Sequence, residues 1–141
     1  MLICIDSCVY IRAFDAPASD AARLIKLLKP ELPVVIPRLV VREVVRNLRS
    51  AEAIHTFFQL FSETSGGQII DIPVPGDLVA AYIARGLREK GDAAIGAFAE
   101  WLRVDYLISD NRHFLQELRT DAYRLLTPGD FLEILRGEPK P

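Results

Sequence analysis

Five short apolar runs, at residues 2–6, 34–36, 68–72, 106–109 and 123–126, alternate with longer stretches of helical spacing. Each run is rich in Ile, Val, Leu or Tyr and is bounded by turn or capping residues, the pattern of a buried strand. The intervening stretches carry apolar residues three and four apart. In 19–29 these are Ala22, Ile25 and Leu28, in 38–48 Val41, Val44, Val45 and Leu48, and in 50–64 Ile54, Phe57, Phe58 and Phe61. Further helices are predicted over 77–89, 92–102, 113–118 and 128–135. Strands apolar on both faces and separated by helices imply a parallel sheet covered on both sides, with right-handed crossovers. In such a sheet ligands gather at the C-terminal strand ends, where the strand order reverses.

The remaining sequence features narrow the class. A chain of 141 residues, half of them apolar, fits one folded domain over 1–141. No apolar run is long enough to span a bilayer, so no membrane partner is expected. The start, Met1-Leu2-Ile3-Cys4-Ile5, lacks a basic n-region and a cleavage site, so a cytoplasmic location is expected. Cys4 and Cys8 read as buried free thiols, because two sulfurs without a neighbouring histidine do not make a zinc site. The net charge of −2 gives no global basic field, although 13 of the 17 basic residues are arginine, which suits bidentate phosphate contacts.

Four acids stand out by context. Asp6 ends the first apolar run and Asp110 follows the fourth, in L-I-S-D-N-R-H-F. Asp92 opens D-A-A-I-G-A-F-A, and Glu43 interrupts the apolar helix V-V-R-E-V-V. Each aspartate stands where a helix can begin and can be read as an N-cap, worth about 1 kcal/mol. Glu43 lies mid-helix, sharing an edge with Asn47, and can be read as a boundary acid paired with Arg42 or Arg46. The other reading is convergence. Carboxylates brought together repel unless protonated or neutralised by cations, and hard oxygen ligands suit Mg²⁺ or Mn²⁺. A cation held there activates water and stabilises a leaving oxygen, which is phosphodiester hydrolysis.

At these residues the sequence resembles the PIN-domain nucleases, the VapC-type toxins of toxin–antitoxin systems. The resemblance runs along nearly the whole chain: I-C-I-D-S with Asp6, V-V-R-E-V-V-R-N-L with Glu43, G-D-A-A-I-G-A-F-A with Asp92, L-I-S-D-N-R-H-F with Asp110, and the closing Y-R-L-L-T-P-G-D-F-L-E-I-L. It implies a PIN-like three-layer α/β/α fold with a central parallel sheet of about five strands, the first and fourth side by side. It implies a Mg²⁺- or Mn²⁺-dependent endoribonuclease, a hydrolase in which Asp6, Glu43, Asp92 and Asp110 are both catalytic and metal-ligating. Ser7, Asn47, Ser109 and Asn111 are the supporting residues. An RNA substrate, an antitoxin protein and a homodimer are the implied partners. Cys8 departs from the family, which commonly has a small polar residue there, and this bears on a supporting contact.

Arg38, Arg42, Arg46 and Arg49 form a stripe on the Glu43 helix, readable as a solvated face or as a rail for the RNA backbone. Arg12, Arg85, Arg88 and Arg112 are further candidates for the same rail, with Arg112 the RNA-backbone candidate among them, and spacing places none of them. His113 reads as a helix-start residue, since metal-activated water needs no histidine base. Phe57, Phe58 and Phe61 read mostly as core, and Trp101 as core or interface. Two other acidic α/β classes fail. A phosphoacceptor switch needs a lysine at a late strand end, where none stands, and a paired-aspartate phosphatase needs an acid at position 8. A non-catalytic PIN-fold RNA-binding or assembly module remains as the alternative.

Overall fold

The computed structural model describes residues 1–62, 65–87 and 90–137, apart from the side chain of Lys90. Five strands, β1 (Ile3–Ile5), β2 (Val34–Pro37), β3 (Gly67–Ile70), β4 (Tyr106–Ile108) and β5 (Arg124–Leu126), form one parallel sheet in the order β3-β2-β1-β4-β5. Each predicted strand is present, with its bounds moved by one or two residues where a cap or turn takes over. Every residue of β1 and β2 is buried. Successive side chains of a strand point to opposite faces, so burial of all of them means the sheet is covered on both sides. Edge strands β3 and β5 are only partly buried.

Among the described residues eight helices flank the sheet: α1 (Ser7–Asp15), α2 (Asp20–Lys26), α3 (Arg38–Asn47), α4 (Ala51–Gln59), α5 (Gly76–Ala84), α6 (Lys90–Trp101), α7 (Arg112–Glu117) and α8 (Pro128–Leu135). α1 packs against α2 and α3, α2 against α8, and α5 against α6. The core holds Ile3, Ile5, Ile36, Leu107 and Ile108, with Phe57, Phe98, Phe114 and Phe131 fully buried around them. Tyr10 meets Phe57 edge-on, with ring centroids 5.3 Å apart, and Phe61 lies 5.2 Å from Phe57. Phe58 is the surplus member of that aromatic group, at 40% exposure.

Some boundaries differ from those the periodicity predicts. α1 escapes it: S-C-V-Y-I-R-A-F-D is rich in residues of modest helix propensity, and the helix instead depends on packing and on Asp6 at its N-cap. α2 stops at Lys26, ahead of Pro30, with a tightened turn in which the Leu27 amide donates to the Leu24 carbonyl at 3.0 Å. α4 stops at Gln59, and Ser65 Oγ donates to the Leu60 and Ser62 carbonyls beyond it. α5 stops at Ala84, before Gly86 at φ +115°, a conformation that favours glycine. The predicted helix ends at 64 and 89, and Arg88, lie outside the described residues.

Candidate active site

The sheet order puts β1 beside β4, with Ile5 in register with Ile108. The strands therefore end together. The Asp6 amide continues the ladder by donating to the Ile108 carbonyl at 2.9 Å. One step on, Ser109 Oγ donates to Asp6 Oδ2 at 2.8 Å, and the Asn111 amide donates to Ser109 Oγ at 2.9 Å. Between β1 and β4 the chain order reverses, with β2 and β3 on one side and β5 on the other. α3 leaves the end of β2 on that same side and brings Glu43, while the first turn of α6 brings Asp92.

These elements enclose a cavity of about 570 Å³. Asp6, Glu43, Asp92 and Asp110, the four acids singled out in the sequence, all line it. Ser7, Cys8, Gly91, Ile95, Asn111 and His113 complete the wall, which among the described residues contains no arginine or lysine. Among the described residues no three His, Cys, Asp or Glu side chains are drawn tightly enough together to form a ready cation cage. Another cavity, of about 630 Å³, lies at the N-terminal ends of β4 and β5. It interleaves Glu100, Asp105 and Asp121 with Arg103 and Arg124, so it lacks this one-sided charge.

Helix capping accounts for little of the acidic set. Asp6 is the N-cap of α1, and its Oδ1 accepts the Ser7 amide at 2.8 Å. Its other oxygen is left for Ser109 and for the Cys8 thiol at 3.6 Å. α7 is capped by Asn111, whose Oδ1 accepts the His113 amide at 3.0 Å, and not by Asp110. Asp92 is the third residue of α6, inside the helix. Among the described residues Glu43 makes no ion pair with Arg42 or Arg46.

Burial dominates the electrostatics. Asp6 is 3% exposed. Desolvation raises its pKa above the ordinary carboxylate value; hydrogen bonds from Ser109, the Ser7 amide and Cys8 oppose the shift, and the Glu43 charge adds to it. Asp110 is also raised, first by desolvation; Arg12 lowers it and Asp20 raises it. Burial, then the Asp6 charge, pushes the Cys8 thiol up to about 12. Cys8 is therefore a neutral hydrogen-bonding thiol at neutral pH and not a nucleophile. Its Sγ also lies 3.6 Å from Ser109 Oγ. The sulfur thus occupies the supporting position on which the departure at residue 8 bears.

The other anticipated residues fall in several places. Ser7 is buried and lines the cavity, with its Oγ 3.4 Å from Asp6 Oδ1. Asn111 Nδ2 donates to Asp92 Oδ2 at 3.3 Å. Asn47 turns back on its own helix, donating to the Glu43 carbonyl at 2.8 Å. Arg38 pairs with Asp71 at 3.4 Å and, with Arg42, lines a different groove beside β3. Arg46 is exposed in the last turn of α3, and Arg112 lines a cavity adjoining Asp110. The contacts of Cys8 and the reach of Arg12 to Asp110 had no signal in the sequence, since neither follows from spacing.

No family model and no curated protein matches the sequence. Solved structures do match the fold. A toxin–antitoxin complex from Klebsiella pneumoniae superposes with a TM-score of 0.67 at 20% identity, over 89% of this chain and 97% of that one. VapBC2 from Rickettsia felis, bound to a promoter DNA fragment, gives 0.60 at 16% identity, over 90% and 98%. The fold is PIN-like. VapC20 of Mycobacterium tuberculosis, a sarcin–ricin loop cleaving toxin, shares this PIN-like fold with a TM-score of 0.56 at 15% identity, over 83% and 96%. At these identities the likeness establishes the architecture alone. Among the described residues, no helix of this PIN-like chain is long and apolar enough to cross a membrane.

Proposed function

We propose that this chain is a metal-dependent endoribonuclease and the toxin of a toxin–antitoxin pair. One observation carries the reading. Four acids from four separate segments of the chain line a single cavity at the reversal point of the sheet, and among the described residues no arginine or lysine shares its wall. The donor set fits a hard divalent cation: carboxylate oxygens dominate, the Cys8 thiol is neutral, and His113 is exposed and beside Glu117 at 3.2 Å. Asp6, Glu43, Asp92 and Asp110 are the residues that would hold Mg²⁺ or Mn²⁺. When bound, such an ion supplies Lewis-acid stabilisation of the charge that develops on phosphate oxygens.

The chain's own residues orient the site. Ser109 and the Ser7 amide fix both oxygens of Asp6, and Asn111 fixes Asp92 while capping α7. RNA as substrate and an antitoxin as partner are supported by the fold relatives: one is named as a sarcin–ricin loop cleaving toxin and another as a toxin–antitoxin complex. The expected homodimer would have exposed Leu39, Ile72 and Ile83 available to bury.

The test is cleavage of a panel of RNAs in Mg²⁺ or Mn²⁺, with EDTA and Asp6→Asn as paired controls. Cleavage lost in both controls supports the nuclease. A folded protein that binds RNA and leaves it intact in either cation is instead a PIN-fold binding module.

A further inference from the structure

Apart from the cation proposed to sit there, the acidic cavity offers an RNA backbone nothing to hold it, because its wall has four carboxylates and, among the described residues, no basic side chain. Affinity for RNA must therefore come from basic groups beside it. Which arginines can supply it depends on what the cavity adjoins. A second cavity, of about 620 Å³, adjoins the first, with Asp110 standing in the wall of both. Arg12 from α1 and Arg112 from the start of α7 line it, together with Asp20 at the start of α2 and Thr127 and Gly129 at the entry to α8. Its size is in the range of pockets that hold small ligands.

The wall of this second cavity sets Arg12 and Arg112 against Asp20 and Asp110, and the Arg12 charge acts on Asp110. Arg12 and Arg112 are both exposed, and among the described residues neither makes an ion pair. The two acids in the wall are partly accounted for: Asp20 Oδ1 is held by Arg23 at 3.1 Å, and Asp110 belongs also to the proposed cation site. The α3 arginines are placed otherwise. Arg38 already faces Asp71, and the groove that Arg38 and Arg42 line shares no residue with the acidic cavity. Arg103 and Arg124 stand at the opposite ends of β4 and β5.

On the nuclease reading above, we infer that this second cavity is a substrate subsite, in which Arg12 and Arg112 grip a backbone phosphate of the RNA strand neighbouring the one that is cut. Guanidinium pairs suit this role because each presents a planar fork of donors to phosphate oxygens. The grip is on the backbone, so it orients the strand without reading its sequence.

The experiment compares wild type, Arg12→Ala/Arg112→Ala, Arg12→Lys/Arg112→Lys and the remote Arg124→Ala. Two readouts are taken: KM and kcat for RNA cleavage in Mg²⁺, and binding of a fluorescent single-stranded oligoribonucleotide in EDTA, where nothing is cut. The double alanine variant is expected to raise KM and weaken binding about tenfold or more, with kcat changed far less. Its plot of log affinity against log salt should be shallower by about 0.7, the increment for one single-strand phosphate that is no longer neutralised. The lysine variant should recover most of the binding, and Arg124→Ala should match wild type. If wild type cuts RNA while the double alanine variant keeps its KM and affinity, the subsite is wrong and the nuclease stands. A wild type that neither binds nor cuts RNA overturns both.

Discussion

Ser109 Oγ donates to Asp6 Oδ2 at 2.8 Å while accepting the Asn111 amide at 2.9 Å, so one hydroxyl with no solvent exposure ties the ends of β1 and β4 to the entry of α7. Asp6 and Asn111 both line the acidic cavity, as does Cys8, whose Sγ lies 3.6 Å from the same hydroxyl. The serine therefore sets the geometry of the site without lying in its wall.

Ser109→Ala removes a hydrogen bond to a buried charged group and leaves the Asn111 amide without its acceptor. The expected cost is about 1.5–3 kcal/mol, read from urea denaturation. Because this bond lowers the Asp6 pKa, its loss should also move the acidic limb of the cleavage pH profile to higher pH. A stability loss with an unmoved acidic limb would show that Ser109 serves packing only.

Asp6→Asn should stabilise the cation-free protein at neutral pH. Desolvation makes the folded protein hold the Asp6 proton to higher pH than the unfolded chain does. Between the two pKa values the native state binds more protons, so stability falls as pH rises through that window. It is fullest below the unfolded value. In EDTA at neutral pH the asparagine variant should melt a few degrees above wild type, and the gap should close on acidification. A variant that melts below wild type at every pH would mean that the hydrogen bonds to Asp6 outweigh its burial.

Asn111 combines two tasks that substitution can separate. Asn111→Ala removes the α7 cap, at about 1 kcal/mol, together with the hydrogen bond to Asp92. Asn111→Asp keeps a good capping oxygen but sets a carboxylate against Asp92. It should retain most of the stability that the alanine variant gives up at saturating Mg²⁺ and forfeit it in EDTA, where the two acids repel unscreened. Equal melting in both buffers would remove Asn111 from the cation site.

How much of this was legible in the sequence varied by residue. Strand positions were readable because complete burial leaves uninterrupted apolar runs such as Ile3-Cys4-Ile5 and Val34-Val35-Ile36. Asp6 and Asp110 were readable because each breaks such a run at its end, and Glu43 because it interrupts an apolar helix. α1 was not, since its stability is tertiary and its residues carry no strong local preference. The effect of Arg12 on Asp110 was hidden for the same kind of reason: it links distant segments, and no spacing along the chain encodes it. The arginine stripe on α3 was plain in the sequence, yet what Arg38 and Arg42 face depends on β3 and the turn after it.

His113 tests the source of the general base. It lines the cavity, but its ring is 69% exposed and Nδ1 lies 3.2 Å from Glu117, an exposed pair worth at most about 0.5 kcal/mol. His113→Ala should cut RNA within about threefold of wild type. A positioned histidine base contributes roughly 10²–10⁴ in rate, so a loss of that size would reassign proton transfer to it.

Cation binding should register in stability before any RNA is added. A ligand that binds only the folded state stabilises it by about 2.7 kcal/mol at a hundredfold excess over its Kd. For a chain of this length that raises the melting temperature by several degrees. Wild type titrated with Mg²⁺ or Mn²⁺ should show this rise, and EDTA should reverse it. Glu43→Gln, Asp92→Asn and Asp110→Asn should each shrink it, and Asp6→Asn should shrink it most, because Asp6 is the buried acid whose charge the ion would relieve. The rise should also grow with pH as Asp6 and Asp110 release their protons. A flat titration at every pH, with Asp6→Asn indistinguishable from wild type, would leave the cavity acidic for some reason other than holding a cation.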